Sequence, residues 1–171
     1  MTIIEYSKHK VCAQSELVAG EIVETPHHGW RHGVAKINIA MKLREYSKCC
    51  GGCATMGSGF VISSYTVLGP DVTYLSSQIA KNSLSVNDWF QVAPTIAIEI
   101  KDFDEHQDLD TKANYYFDKG TCEVWIVEPD SQTITIRTQT SIRVLDKSQT
   151  LETEVLPDFQ MPLTEVFEDP N

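Results

Sequence analysis

Pro94-Thr95-Ile96-Ala97-Ile98-Glu99-Ile100-Lys101 is an apolar stretch that carries two charges out of its far end. A strand has a period of two, so Ile96, Ile98 and Ile100 line one face while Ala97, Glu99 and Lys101 line the other. Glu99 and Lys101 then point the same way, roughly 7 Å apart along the strand. An acid and an amine side by side at the mouth of a buried strand fit a reaction centre, and they fit a plain ion pair as well. Downstream, Asp110 to Lys119 reads as a helix closed by Gly120 in the C-terminal capping position. Cys122-Glu123-Val124-Trp125-Ile126-Val127 follows directly as a largely apolar strand. Strand, helix and strand form a βαβ unit with parallel strands, and this sets the fold class as α/β.

Upstream, Glu16 to Glu24 reads as two short strands about a turn at Ala19-Gly20, with Leu17 and Val18 before it and Ile22 and Val23 after. Glu21 sits just past that turn. A helix is expected over 30–46, with Val34, Ile37, Ala40 and Met41 on its buried stripe. Lys36, Lys42, Arg44 and Lys48 on or near it form the most basic patch of the chain, which a solvated helix face explains. The glycine- and cysteine-rich segment 49–59 is expected as a loop before a strand at Phe60 to Ile62. Pro70-Asp71 opens a further strand that runs to Leu75, with the Asp71 carboxylate at its very start. Residues 76–93 read as a connection with a short helix, anchored by Trp89 and Phe90.

Asp102 to Asp108 is an acidic loop. Asp108 precedes Lys112 by four residues, the spacing of a helical ion pair, and Lys112 shares a helix face with Tyr116. Thr133 to Arg137 alternates like a strand with one wet face, and Ser141 to Leu145 is expected to pair with it as a hairpin. The segment from Leu156 to Phe167 alternates turns with hydrophobic anchors and is expected to pack back over the sheet.

The bulk properties bound the answer. A chain of 171 residues, 42% hydrophobic and 22% charged, fits one compact domain, expected to span 1–171. No apolar run is long enough to cross a bilayer and Met1 to Lys10 has no signal-peptide core, so a cytosolic (cytoplasmic) protein is expected. Five cysteines, an odd number that includes Cys49, Cys50 and Cys53, suit reduced thiols better than a disulfide framework. Cys50 and Cys53 make one CxxC pair, but zinc needs about four ligands, and Cys12 and Cys122 stand apart. The 14 basic residues against 24 acidic ones give a net charge of −10, which repels polyanions and argues against non-specific nucleic-acid binding by the chain as a whole. Part of that acidity lies in the tail, at Glu165, Glu168 and Asp169.

Asp71 at a strand start, Glu99 a strand and a connection later, and Lys101 two residues on have the form Pro-Asp, gap, Glu-X-Lys. That form has a physical use. Two carboxylates and the backbone carbonyl of Ile100 hold Mg2+ or Mn2+ through hard oxygen ligands and leave positions for water and a phosphate oxygen. The lysine orients or helps deprotonate the attacking water and offsets charge on phosphorus. The chemistry suits metal-assisted hydrolysis of a phosphodiester.

The same residues carry a resemblance. Glu16-Leu17-Val18-Ala19-Gly20-Glu21, Arg31-His32 at the head of the long helix, Gly69-Pro70-Asp71, Ala93-Pro94 leading to Glu99, Lys112 with Tyr116, Gly120, Glu123 to Asp130 and Leu156-Pro157-Asp158-Phe159 occur in that order along most of the chain. In this order and spacing the sequence resembles the PD-(D/E)XK nuclease superfamily and, within it, the Uma-type restriction-endonuclease-like family. The resemblance implies a restriction-endonuclease-like core, a central mixed sheet flanked by helices. It also implies Asp71 and Glu99 as ligands of Mg2+ or Mn2+, Glu21 as a supporting acid, DNA as the substrate, and a homodimer. In that family the catalytic lysine is usually carried on the helix, where Lys112 stands, and the position of Lys101 is more often apolar or small. This chain has both lysines, and both stay candidates. For the loop 49–59 the resemblance offers no role.

The leading reading is a metal-dependent endonuclease. A catalytically silent binding module on the same fold is the alternative, favoured by the net charge and the acidic loop, and a thiol or zinc role for Cys49, Cys50 and Cys53 is a third.

Overall fold

The computed structural model describes residues 1–8, 15–24, 28–83, 89–102 and 108–168. The acidic-loop residues 103–107, Cys12 and Asp169 lie outside them. A short helix α1 (Ile3–Lys8) precedes a hairpin of β1 (Ser15–Val18) and β2 (Glu21–Glu24). Its two turn residues, Ala19 and Gly20, both have positive φ, at 50° and 88°, as a two-residue hairpin turn of type I′ requires. The long helix α2 (Trp30–Cys50) leads into β3 (Cys53–Met56), β4 (Phe60–Ser63), β5 (Thr66–Leu68) and β6 (Val72–Leu75), and then the short helix α3 (Ser77–Ser83). The βαβ unit follows as β7 (Ile96–Ile100), α4 (Leu109–Lys119) and β8 (Glu123–Glu128). Two hairpins, β9 (Thr133–Arg137) with β10 (Ile142–Leu145) and β11 (Thr150–Thr153) with β12 (Leu156–Pro162), and a one-turn helix α5 (Leu163–Val166) complete the described elements.

Six strands form the main sheet in the order β10-β9-β8-β7-β6-β3. The β7–β8 pair is parallel, with Ile96 opposite Glu123 and Ile100 opposite Val127, and its neighbours run antiparallel. This is the mixed α/β sheet expected from the sequence. A second sheet in the order β2-β1-β5-β4 carries the N-terminal hairpin.

The period-two reading of β7 holds residue by residue. Ile96, Ile98 and Ile100 are buried in one cluster with Ala35, Ile39 and Leu43 of α2, Trp125 of β8 and Phe159 of β12. Each such isoleucine contributes about 1.5–3 kcal/mol by leaving water. Ala97 belongs to the opposite face, with Val124, Ile126, Leu68 and, from α4, Ala113, Tyr116 and Phe117. Alternation therefore aims Glu99 toward α4.

Helix α4 is fixed at both ends. The Asp108 carboxylate accepts the Thr111 N–H at 3.0 Å as an N-terminal cap, and Gly120 closes the helix at φ 107° in the left-handed region. Asp108 is thus a capping residue and not the ion-pair partner expected for Lys112. The cap turns its carboxylate to the helix start, and Lys112 turns inward.

Three expectations need correction. In α2 the buried stripe is His32, Ala35, Ile39, Ala40, Leu43 and Ser47, while Ile37 and Met41 are exposed and Val34 is half-buried. The helix carries apolar residues on both sides, so periodicity alone chose the wrong stripe; it also runs on to Cys50 and stops at Gly51, whose φ is 82°. Cys53–Met56 is an edge strand where a loop was expected, because antiparallel pairing with β6 supplies the hydrogen bonds that its composition does not advertise. Over 156–167 the anchors Leu156, Phe159, Leu163 and Phe167 pack into the main core as expected, but Leu156–Pro162 does so as a strand paired with Thr150–Thr153 where turns were expected.

Candidate active site

Glu99 leaves the main sheet on the α4 side and meets two side chains one helical turn apart. Lys112 Nζ donates to Glu99 Oε2 at 2.9 Å, and Tyr116 OH donates to Glu99 Oε1 at 2.6 Å. From the second sheet, Glu16 of β1 reaches the same ammonium, with Oε1 2.9 Å from Lys112 Nζ. That oxygen also accepts the Gly69 N–H at 2.5 Å, so the backbone just before Pro70 and Asp71 is tied to the cluster. Glu16 Oε2 is buried and has no hydrogen bond among the described residues.

Asp71 stands at the start of β6, where pairing with β7 begins, since Val72 lies opposite Ile98. Its two oxygens face different groups. Oδ2 accepts the Ile100 N–H at 2.9 Å, while Oδ1 accepts from Lys36 Nζ at 2.8 Å and lies 3.0 Å from His32 Nε2. His32 and Lys36 are four apart on α2, which puts both on one face of the helix. Behind them His28 Nδ1 lies 2.5 Å from Asp102 Oδ2, and its ring stacks on that of His32 with centroids 3.8 Å apart. The site therefore sits at one end of the main sheet, between α2 and α4.

The charge balance here is unusual for a buried region. Burial pushes the Glu99 carboxyl up, the Lys112 ammonium works against this, and the neighbouring Glu16 and Asp71 carboxylates add to the rise, leaving it at about 8. Burial opposes the charge on Lys112 also, but Glu99 and Glu16 outweigh it and hold the amine above the ordinary lysine value. Burial disfavours ionised Asp71, yet His32 and Lys36 hold its carboxyl well below the usual range.

Of the residues expected from sequence, Asp71, Glu99, Ile100 and Lys112 come together here. Lys101 does not join them: its ammonium pairs with Glu128 Oε1 at 3.0 Å, with the side chain 43% exposed. Nor does Glu21, an exposed residue opposite Val18 at the hairpin end of β2. The acid that reaches the cluster from this hairpin is Glu16, which the sequence reading passed over. Its signal was present, since Glu16 and Val18 alternate with the buried Leu17 and so face together. His32 and Lys36 were missed as well, and their spacing of four on the expected helix was the available clue.

The donor set fits a hard divalent cation. Glu99 and Glu16 gather carboxylate oxygens around the buried Lys112 ammonium, Asp71 stands beside them with Oδ2 on the Ile100 N–H, and one oxygen, Glu16 Oε2, lacks a hydrogen bond among the described residues. Divalent cations of the magnesium and calcium type take such oxygen ligands.

Together the mixed sheet, its helices and the carboxylate–lysine cluster define a restriction-endonuclease-like α/β protein. Residues 8–164 match the family described as "Uma2: Putative restriction endonuclease", and the chain belongs to that family. Its fold is similar to that of a crystal structure from Anabaena variabilis ATCC 29413, described as "a putative nuclease belonging to DUF820". The two share 19% sequence identity at a TM-score of 0.85, over 98% of this chain and 97% of that one. No curated protein matches the chain. Among the described residues no helix is long and apolar enough to cross a membrane.

Proposed function

We propose that this chain is a Mg2+- or Mn2+-dependent endonuclease that hydrolyses phosphodiester bonds of DNA. The observation that carries the reading is the buried Lys112 bridging Glu99 and Glu16, beside an Asp71 tied to the end of the same strand pair. Asp71, Glu99 and the Ile100 carbonyl would hold the cation. When bound, it supplies Lewis-acid stabilisation of a phosphate oxygen and lowers the pKa of bound water.

The chain's own groups have separable tasks in this scheme. Lys112, freed in part from Glu99, orients the attacking water and offsets charge on the phosphorus. Glu16 keeps that ammonium charged and aimed, the supporting part that the family resemblance gave to Glu21. Tyr116 holds the Glu99 carboxylate in one orientation through its 2.6 Å hydrogen bond. Lys36, at 23% side-chain exposure, is close enough to the surface to meet a backbone phosphate. Lys101, outside the buried cluster, serves at most as a peripheral phosphate contact. Cleavage of both strands of a duplex needs two such sites, which a cytoplasmic homodimer of single-domain protomers supplies through its two-fold symmetry.

Incubation of purified protein with supercoiled duplex DNA and Mg2+ or Mn2+ tests this. Nicked and linear products are expected, and Asp71→Ala should abolish them. Cleavage that persists in Asp71→Ala sinks the assignment. A silent binding module is the second reading, favoured by the net charge of −10. It predicts no calorimetric Mn2+ binding that depends on Glu99, whereas the nuclease reading predicts binding that Glu99→Gln removes. Light scattering checks the dimer.

A further inference from the structure

We propose that His28, His32 and Asp71, backed by Asp102, form a second cation position that selects imidazole-binding transition ions such as Co2+ or Zn2+ over Mg2+. The proposal extends beyond the nuclease reading and does not rest on it, because it concerns binding alone. Three observations carry it. One ligand atom from each of His28, His32 and Asp71 lies within 4.8 Å of the others, a spread that small side-chain rotations bring around one ion. His32 Nε2 and Asp71 Oδ1 are 3.0 Å apart. Metal–ligand bonds of about 2.0–2.1 Å set adjacent donors about 3.0–3.4 Å apart, so this pair already has the needed spacing.

The second observation is the tautomer that the surroundings impose on His28. Asp102 Oδ2 engages His28 Nδ1 at 2.5 Å, which leaves Nε2 as the nitrogen available to a cation. Metal-binding histidines are commonly fixed in this way, with a carboxylate on the far ring nitrogen. The third is His32. Its residue is 2% exposed, and Nδ1 makes no hydrogen bond among the described residues, with Asp102 Oδ2 3.5 Å away. The near-parallel stack of the two rings, tilted by 15°, holds their nitrogen edges side by side.

Ligand chemistry decides the ion. Two imidazoles and a carboxylate suit Zn2+, Co2+ and related ions, whereas Mg2+ prefers oxygen ligands. Asp71 would serve both positions, since Oδ2 lies toward Ile100 and Oδ1 toward His32. Lys36 Nζ, 2.8 Å from that Oδ1, is the charge that an ion displaces, and its partly exposed side chain has room to leave.

The test is calorimetric titration of the metal-free protein with Co2+ alone and with Mg2+ alone, joined to imidazole nitrogen NMR. Wild type should bind Co2+ more tightly than Mg2+ and lose the His28 and His32 ring signals to paramagnetic broadening. His28→Ala, at a partly exposed position ahead of α2, should weaken Co2+ binding about tenfold or more while retaining the fold by circular dichroism. Lys36→Met should tighten it. Glu99→Gln should leave Co2+ binding at the imidazoles intact, so failure of the oxygen-ligand site is distinguishable from failure of this one. Equal Co2+ affinity in wild type and His28→Ala, or His28 and His32 signals unmoved by Co2+, overturns the proposal.

Discussion

Lys101 and Lys112 flank one loop of one βαβ unit, yet they have opposite surroundings. The Lys112 side chain is 10% exposed and bridges two buried carboxylates at 2.9 Å each. The Lys101 side chain is 43% exposed and holds one partly exposed partner, Glu128. The difference comes from geometry. Lys101 leaves the strand just past its end, where the sheet no longer covers it. Lys112 sits near the start of a helix packed over the sheet, and its buried side chain reaches Glu99 at 2.9 Å. A lysine two residues from the acid along the chain is therefore farther from it, in chemical effect, than one thirteen residues away.

Breaking the inner pair gives the largest expected effect. Lys112→Met removes the sole ammonium that this cluster has among the described residues and leaves Glu99 and Glu16 buried without it. Loss of one partner of a buried ion pair costs about 3–5 kcal/mol. Urea denaturation should show that loss, together with loss of DNA cleavage. The triple variant Lys112→Met, Glu16→Gln, Glu99→Gln should recover much of the stability, since the uncompensated charges are gone, and none of the cleavage. Equal stability of Lys112→Met and wild type would break the contrast at its strong end.

The two acids of the N-terminal hairpin repeat the contrast at smaller scale. Glu16→Gln weakens one arm of the Lys112 bridge and the 2.5 Å contact to the Gly69 N–H, at a cost of about 1.5–3 kcal/mol, the range for hydrogen bonds to charged groups. Glu21→Gln, on the exposed end of β2, should stay within about 0.5 kcal/mol of wild type. Parallel thermal melts of the two variants check this. A larger shift in Glu21→Gln than in Glu16→Gln would reverse the assignment of the supporting acid.

These pairs also mark how far the sequence could be read. The frame was legible where one physical rule governed alone: alternation placed Ile96, Ile98 and Ile100 together, Gly120 closed α4, and the Ala19-Gly20 turn set the hairpin. Asp71 and Glu99 stood out through the Pro-Asp, gap, Glu-X-Lys pattern and the family resemblance, since an aspartate after proline alone reads as a turn residue and an acid at a strand end as an ion pair. What failed depended on contacts between distant segments. Glu16 and Glu21 share one face of the hairpin, and the packing of β1 against β5, not local pattern, decides which of them is buried. Likewise the inward stripe of α2 is chosen by the sheet beneath it, which draws His32 and Lys36 to Asp71 and leaves Ile37 and Met41 exposed. The charged end of Pro94 to Lys101 drew attention to Lys101, because adjacency in sequence was visible and the reach of a helix-borne lysine was not.

Lys101→Ala is the smallest effect and the sharpest check on the contrast. An exposed ion pair of the Lys101–Glu128 kind contributes about 0–1 kcal/mol, and salt screens it further. The variant should melt with wild type within that margin and keep its metal-dependent cleavage at saturating DNA, with any loss confined to DNA affinity at low salt. A fall in the turnover rate that persists at saturating DNA and metal would place Lys101 among the groups that act on the reacting phosphate. The two lysines would then divide the chemistry, and burial would no longer separate the working residue from its neighbour.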